Sequence, residues 1–178
     1  MTAQIEIRDA VPSEHAAIES LYDEAFPDED LRPLLQDLHR AQSRIASLVC
    51  LVAGRLVAHV VLTMCGIDGH SDKVTLLGPL GVAPNFQRQG IGSAMVHAGL
   101  DRARDSAATH VLVLGDPGYY RRFGFRADGN ISPPYDLPVD WREAWQSIGL
   151  RGDTAPARGK LAVPEPWRRR CLWLPQDG

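Results

Sequence analysis

The chain is 178 residues long, the length of one ordinary domain, and 44% of its residues are hydrophobic against 23% charged. This composition excludes global disorder. The formal net charge of −3 excludes the strongly basic surface on which general nucleic-acid binding depends. We therefore expect one folded domain over residues 1–178 that binds no nucleic acid.

The cysteines and the apolar runs predict the setting of the protein. Cys50, Cys65 and Cys171 are odd in number, far apart and outside any C-x-x-C pair. They therefore indicate neither a disulfide framework nor a structural metal site. No apolar run approaches the roughly 18–20 residues of a membrane span, and the first residues lack the layout of a signal peptide. We expect a cytoplasmic protein with no membrane association.

The N-terminal third reads as a strand followed by two helices. Residues 5–8 alternate between apolar and polar types, as in a strand. Ser13 follows as the expected N-cap of a first helix. A second helix is predicted from about Asp28, because the acidic residues 28–30 favour a helix N-terminus. The leucines after them form an apolar stripe at helical spacing, namely Leu31, Leu34, Leu35 and Leu38.

The middle of the chain predicts a hairpin, a third strand and a long helix. Residues 47–53 and 56–62 flank Gly54 and Arg55, which is typical of a β-hairpin. The third strand, 73–82, contains Gly78 and Pro79, and these indicate a bulge or the close approach of another backbone. A helix from Gly90 to about Ala107, a strand at 110–114 and a short helix at 117–123 follow.

The C-terminal part holds all four tryptophans. We predict that residues 144–150 and 160–163 form edge strands and that the tryptophans cover the core. The core then extends over about 3–127, with further strands and the tail at 128–178. Edge strands and tryptophans near the C-terminus also predict a homodimer.

The segment that carries chemistry is 80–92, in which a strand leads through a glycine-bearing turn into the long helix. Turn amides and the positive end of a helix dipole together form an anion site, so a phosphate-bearing ligand fits here. A dinucleotide fingerprint would need glycine or alanine where Met95 stands, and a nucleotide P-loop would need Gly-Lys-Ser/Thr, which is absent. On the residues alone, a packing or capping role of the glycines remains open beside the phosphate site.

Two motifs bring a resemblance to a known family. The pattern L-x-V-x-P-x-x-Q-x-x-G-x-G at 80–92 is similar to the acetyl-coenzyme A motif of the GNAT superfamily of N-acetyltransferases. The pattern Y-x-x-x-G-F, which begins at Tyr120, resembles a downstream segment of that superfamily, and residues 115–125 look most like its YhbS-like group. The resemblance covers roughly 3–127. It implies a mixed α/β fold whose mostly antiparallel central sheet is flanked by helices and splays between two central strands.

The resemblance also implies a ligand and the residues that hold it. The ligand is acetyl-coenzyme A, the acetyl donor, and no metal is required. The backbones of Leu80 and Val82 match the strand positions that pair with the pantetheine arm. The residues that match the pyrophosphate-binding turn are Gln87, Arg88, Gln89, Gly90, Ile91, Gly92 and Ser93.

Two residues are assigned to catalysis. Tyr120 matches the tyrosine that protonates the departing thiolate, although a tyrosine packed between aromatic rings explains it too. Glu24 belongs to an acidic run in the region where the family builds part of its acceptor site, and capping or solubility explains that run equally well. Residues 76–82 contain no acid, unlike family members with a glutamate on this strand. The general base therefore stays open between water and a residue of the first two helices.

The expected function is N-acetyltransfer, in which acetyl-coenzyme A gives its acetyl group directly to the amine of a small molecule in a ternary complex. The alternative is a non-catalytic module on the same fold that binds coenzyme A or acyl-coenzyme A, or that has a regulatory role. The absence of an acidic residue from the strand at 76–82 motivates this alternative. His59 and His70 are expected to be structural. Cys50 and Cys65 are expected to be inert core thiols.

Overall fold

The computed structural model describes residues 4–152 and 157–175, which fall into two compact units. One unit consists of Met1–Thr63 and Leu77–Arg102, and the other of Met64–Leu76 and Ala103–Gly178. The elements in chain order are β1 Ile5–Asp9, α1 His15–Ala25, α2 Arg32–Arg40, β2 Ile45–Val52, β3 Arg55–Ile67, β4 His70–Val82, α3 Ile91–Asp105, β5 His110–Leu114, α4 Pro117–Tyr120, β6 Arg126–Ala127, β7 Ile131–Ser132, β8 Trp145–Gly149 and β9 Gly159–Ala162.

An antiparallel sheet forms the base of the first unit. β1 pairs with β2 from Ile5 opposite Val52, and β2 pairs with β3 from Ile45 opposite Thr63. Gly54 turns the chain between β2 and β3 with a φ of +78°, a conformation that glycine adopts without steric cost. The predicted hairpin is confirmed.

The two helices of the first unit bury one face each. Ile18 and Tyr22 of α1 form a cluster with Leu35 of α2 and Val49 of β2, all of them at most 1% exposed. Of the predicted leucine stripe, Leu34, Leu35 and Leu38 are buried, and Leu31, just before α2, is partly buried. Full burial of one such side chain stabilises the fold by about 1.5–3 kcal/mol.

The predicted starts of both helices are wrong. Ser13 lies inside a 3₁₀ turn, Pro12–Glu14, and α1 begins at His15. The carboxylate of Glu14 accepts the Val11 amide at 2.9 Å and so closes the 3₁₀ turn, whereas no side chain caps α1 itself. α2 begins at Arg32 and not near Asp28, because Pro33 fits only the first turn of a helix and so fixes where it starts.

The second unit contains most of the remaining strand pairs. β4 pairs in parallel with β5 from Val74 opposite His110 to Leu76 opposite Leu112, and the two strands continue to Val82 and Leu114 respectively. β8 is antiparallel to both β5 and β6, and β9 is antiparallel to β3 and parallel to β7. The prediction of a mixed, mostly antiparallel sheet with flanking helices is confirmed. The prediction that these two segments are edge strands is wrong, because β8 and β9 each pair with a strand on both sides. Polar residues in both short segments made them resemble edge strands in the sequence.

Three of the four tryptophans of the second unit are buried, as predicted, and Trp141 is partly buried. Trp145, Trp167 and Trp173 are at most 8% exposed. The indole of Trp145 donates to the carbonyl of Ile131 at 2.7 Å, and that of Trp173 to the carbonyl of Trp167 at 2.8 Å. Since these rings are covered and the strands beside them are paired, neither feature from which we expected a homodimer supports one. The homodimer stays a prediction.

None of the helices within residues 4–152 and 157–175 has both the length and the apolar character that crossing a bilayer requires.

Candidate functional site

The end of β4 departs from regular strand geometry. The peptide bond between Gly78 and Pro79 is cis, and Gly78 has a φ of +142°, in the region that favours glycine. The Gly-Pro pair therefore marks an irregular strand segment, as the sequence predicts. Further along, Gly81 lies against the ring of Tyr22, so that a Cβ at position 81 would lie 3.2 Å from Tyr22 Cε1.

The turn after β4 is braced by two glutamine side chains. Gln87 donates from its side-chain amide to the carbonyl of Val82 at 3.0 Å, and Gln89 donates to the carbonyl of Asn85 at 2.9 Å. Arg88 and Gly90 have positive φ values of 60° and 82°, which reverse the chain toward the helix. The two glutamines thus hold the turn together, a structural role that the sequence motif did not specify.

The first turn of α3 presents main-chain N–H groups. The amide of Ala94 donates to the carbonyl of Gly90 at 3.0 Å, which is the i to i−4 pattern of the helix. The N–H groups before it, at Ile91, Gly92 and Ser93, lie in the turn that has no intrahelical acceptor. Arg88 and Gly90 are exposed beside them. The arrangement suits an anion, because the helix dipole adds about half a positive charge at this end.

A chain of hydrogen bonds, centred on the buried contact between Tyr22 and His59, reaches the backbone of β4. The Tyr22 hydroxyl lies 2.9 Å from the carbonyl oxygen of Pro79 and 2.9 Å from His59 Nδ1. On the other side of the imidazole, His59 Nε2 lies 2.7 Å from Ser47 Oγ. Burial lowers the pKa of His59 to about 3, so the imidazole is neutral. The expectation of a structural His59 is confirmed, but its link to Tyr22 was not predicted.

Two further imidazoles lie beside this chain. The rings of His15 and His39 stack at a centroid distance of 3.8 Å with 1° between their planes. His39 is 6% exposed, and within the described part of the chain neither of its ring nitrogens has a hydrogen-bond partner. Burial, with a smaller contribution from His15, lowers the pKa of His39 to about 4. His39 is therefore a buried, neutral imidazole, and neither of its ring nitrogens forms a hydrogen bond with a described residue.

Two neighbouring acidic residues at the end of α1, Asp23 and Glu24, differ in their ion pairing. Arg32 binds both carboxylate oxygens of Asp23, with Nε at 3.1 and 3.0 Å, and this hydrogen bonding lowers the pKa of Asp23. Glu24, the residue assigned to catalysis, is exposed and forms no ion pair with any residue in 4–152 or 157–175. Of these two neighbours, Glu24 is the one whose carboxylate remains available to a cation.

In the second unit, Tyr120 ends the short helix α4. Asp116 begins this helix by accepting the amide of Gly118 at 2.9 Å, and Gly124, with a φ of +97°, closes the turn after it. The Tyr120 ring packs on Phe125 at a centroid distance of 5.6 Å and on Tyr119 at 5.0 Å. Burial raises the pKa of Tyr120, so its hydroxyl keeps its proton at neutral pH but is a weaker acid than a free tyrosine.

The second unit also contains a cavity of about 450 Å³, a volume typical of small-molecule sites. Its lining residues include Arg121, Arg126 and Glu143 together with the buried residues Phe125 and Gln146. This cavity was not predicted from the sequence, because its charged lining residues come from separate segments of the chain.

The thiols and the metal-ligating side chains add no further site. Cys50 and Cys65 are buried, as expected for core thiols, and burial raises the pKa of Cys50. Among residues 4–152 and 157–175, no three His, Cys, Asp or Glu side chains are grouped so that they could hold a metal ion.

Comparison with known proteins identifies the family. The model of the acetyltransferase (GNAT) family matches residues 13–125, which is more than half of the chain. The chain belongs to this family. It is therefore an acyltransferase of the N-acetyltransferase type, and its mixed α/β fold is the GNAT fold.

Two curated relatives from Escherichia coli support this assignment. The uncharacterized N-acetyltransferase YjhQ is 28% identical over 144 residues, 78% of this chain and 74% of that protein. The uncharacterized N-acetyltransferase YhbS is 26% identical over 136 residues, 76% of this chain and 79% of that protein. The resemblance to the YhbS-like group is confirmed.

Solved structures show the same fold. The crystal structure of YhbS from Escherichia coli, in complex with coenzyme A, has a TM-score of 0.85 at 24% identity and covers 96% of this chain and 95% of that one. A GNAT family acetyltransferase from Brucella melitensis, in complex with acetyl-coenzyme A, has a TM-score of 0.74 at 27% identity and covers 93% and 99%.

Proposed function

We propose that this acyltransferase binds acetyl-coenzyme A and transfers its acetyl group directly to the amine of a small molecule, in a ternary complex and without a metal. The observation that carries the proposal is the braced turn at the start of α3, where main-chain N–H groups without an intrahelical acceptor and a helix dipole suit a pyrophosphate. The acetyl-coenzyme A bound by the Brucella melitensis relative supports the choice of ligand.

The ligand-holding residues follow from this turn. The backbones of Leu80 and Val82 would pair with the pantetheine arm. The pyrophosphate would be held by the turn and the first residues of α3, which are Gln87, Arg88, Gln89, Gly90, Ile91, Gly92 and Ser93. Within this set the main-chain amides and the exposed Arg88 do the binding, because the side-chain amides of Gln87 and Gln89 already donate within the turn.

The chemistry needs few side chains. The amine nitrogen attacks the thioester carbonyl, the carbon–sulfur bond breaks, and the thiolate takes a proton from Tyr120. A main-chain N–H near Val82 would stabilise the oxyanion. It is not that of Ala83, which donates to the carbonyl of Val57 at 2.8 Å. An alkyl ammonium has a pKa of about 10.4, so a base must remove its proton, and we assign this to Glu24 directly or through water.

The setting completes the proposal. The acceptor in this proposal is the amine of a small molecule. Cys50, Cys65 and Cys171 are all free thiols, which supports a reducing, cytoplasmic compartment.

The test is a calorimetric titration with acetyl-coenzyme A, followed by thiol release measured with a panel of amines. We expect micromolar binding that requires the nucleotide part of the ligand, and thiol release that depends on one or more amines. Gly92→Asp should raise the acetyl-coenzyme A Kd at least tenfold, which is about 1.4 kcal/mol, since it places bulk and negative charge at the pyrophosphate.

A matched control is Gly129→Asp, which adds the same charge at an exposed position where a Cβ meets nothing within 4 Å. Its Kd should stay within twofold of the wild type. Equal affinities of Gly92→Asp and wild type would overturn the pyrophosphate assignment. Tight binding without amine-dependent release across the panel would instead favour the non-catalytic coenzyme A-binding module.

A further inference from the structure

We propose that Tyr22 is a positioning residue for acetyl-coenzyme A: its hydroxyl, oriented by His59 and Ser47, fixes the backbone of β4 at Pro79–Gly81, where the pantetheine arm is to pair. The inference rests on the proposed function, because it assigns a task to residues that do not themselves touch the ligand. Tyr22, His59, Ser47 and this part of β4 all belong to the first unit.

The partners of the hydroxyl determine which groups carry protons. Tyr22 Oη has one hydrogen and two carbonyl oxygens nearby, that of Pro79 at 2.9 Å and that of His59 at 3.2 Å. Carbonyls only accept, so the hydroxyl donates to the shorter of the two contacts, at Pro79. His59 Nδ1, at 2.9 Å, must then carry a hydrogen and donate to the Tyr22 oxygen.

The far side of the imidazole completes the chain. A neutral imidazole with hydrogen on Nδ1 has a bare Nε2, which accepts from Ser47 Oγ at 2.7 Å. The hydrogen bonds therefore run in one direction, from Ser47 through His59 and Tyr22 to Pro79. Each bond polarises the next, and the low dielectric of the interior strengthens the buried bond between Tyr22 and His59. Full burial keeps His59 neutral and preserves this direction at physiological pH.

The ring of Tyr22 fixes β4 at a second point. A Cβ at Gly81 would lie 3.2 to 3.4 Å from three ring atoms of Tyr22, so the ring is in close contact with the strand backbone. The hydroxyl therefore holds the carbonyl of residue 79 while the ring supports residue 81. The backbone of Leu80 lies between these two contacts and Val82 follows them. These are the two positions assigned to the pantetheine arm, so their orientation depends on a side chain from α1.

The test compares two ligands. Tyr22→Phe keeps the ring and removes the hydroxyl, so it releases Pro79 while retaining the contact with Gly81. We expect the Kd of acetyl-coenzyme A to rise about tenfold, while the Kd of adenosine 3′,5′-bisphosphate, which has no pantetheine arm, stays within twofold. Ser47→Ala removes the far end of the chain and should raise the acetyl-coenzyme A Kd about threefold, again without effect on the bisphosphate.

A control variant separates positioning from general loss of stability. Trp173→Phe removes another buried donor, whose bond to the carbonyl of Trp167 is 2.8 Å long, in the second unit. It should lower Tm and leave both Kd values unchanged.

Two results would overturn the inference: a folded Tyr22→Phe protein whose acetyl-coenzyme A Kd equals that of the wild type, or equal weakening of both ligands. If Tyr22→Phe does not fold, the same comparison with Ser47→Ala decides. Failure of the wild type itself to bind acetyl-coenzyme A would overturn the proposed function together with this inference, so the two failures are distinguishable.

Discussion

The side-chain amide of Gln87 donates to the main-chain carbonyl of Val82 at 3.0 Å and so ties the turn before α3 to the end of β4. Gln87→Leu keeps the approximate size of the side chain and removes this bond. We expect the Kd of acetyl-coenzyme A to rise about fivefold, the effect of one hydrogen bond worth about 1 kcal/mol. Calorimetry measures the Kd, and thermal unfolding measures stability.

Gln36→Leu on α2 is the matched control, because it makes the same change at another exposed position. Its Kd should equal that of the wild type. A Gln87→Leu protein with wild-type affinity would show that the turn keeps its geometry without the brace.

Tyr120 is the proposed acid for the leaving thiolate. Tyr120→Phe removes only the hydroxyl, so we expect turnover to fall about 100-fold, within the range typical of general acid catalysis, with the acetyl-coenzyme A Kd unchanged. Thiol release with an active amine measures the first quantity and calorimetry the second. Tyr119→Phe, which alters the neighbouring ring, should retain turnover. Wild-type turnover in Tyr120→Phe would remove the acid role and leave this residue as packing.

Gly115 provides the space that the Tyr120 ring occupies. A Cβ at position 115 would lie 2.5 Å from Tyr120 Cε2, closer than real contacts allow. Gly115→Ala must therefore move the ring, at a cost of about 1–3 kcal/mol in the free energy of unfolding, and turnover should fall with it. Gly129→Ala is the control, because a Cβ there meets nothing within 4 Å. Unchanged Tm and turnover in Gly115→Ala would contradict this account of the packing.

Two buried histidines make stability depend on pH. The pKa values of His59 and His39 are lowered from 6.5 to about 3 and about 4, mainly by burial, so unfolding lets both imidazoles take up protons below pH 6.5. Their contribution is present in full above pH 6.5 and is lost as the pH falls below it. For His59 the loss reaches about 1.4 kcal/mol near pH 5.5. Urea unfolding at pH 8 and 5.5 measures the difference.

His39→Leu tests this pH dependence. The substitution replaces a buried imidazole whose nitrogens have no partner among the described residues with an apolar side chain of similar size. We expect the variant to be more stable than the wild type, with a larger advantage at pH 5.5 than at pH 8. His70→Leu, at an exposed position, should show no such gain. An advantage that does not grow as the pH falls would contradict the neutral state of His39.

The sequence predicted those parts of the molecule that depend on local pattern. The hairpin at Gly54, the long helix after Gly90 and the leucine stripe of α2 follow from turn residues and apolar spacing. The order of strand, turn and helix at 80–92 was likewise predicted, whereas the anion site at this turn stays a prediction. These features depend on residues that are close in sequence, where propensity and periodicity are informative.

The rest depends on contacts between distant segments. Tyr22 and His59 are 37 residues apart and Ser47 and His59 are 12 apart, so no local pattern could bring them together. The helix starts were wrong because a 3₁₀ turn that contains Ser13 precedes α1, and because Pro33 restricts α2 to a start at Arg32. β8 was predicted at the right residues but as an edge strand, because its five residues show no alternation that would indicate a central position.

All four indoles of the chain belong to one of its two units. Trp141, Trp145, Trp167 and Trp173 fall within Ala103–Gly178, and the part made of Met1–Thr63 and Leu77–Arg102 contains none. Emission excited at the tryptophan band therefore follows the melting of one unit alone, while far-ultraviolet circular dichroism follows the helices of both. Coincident transitions in these two optical signals would mean that the first unit, which contains the turn before α3, and the second unit, which contains the tryptophans, unfold as one cooperative structure.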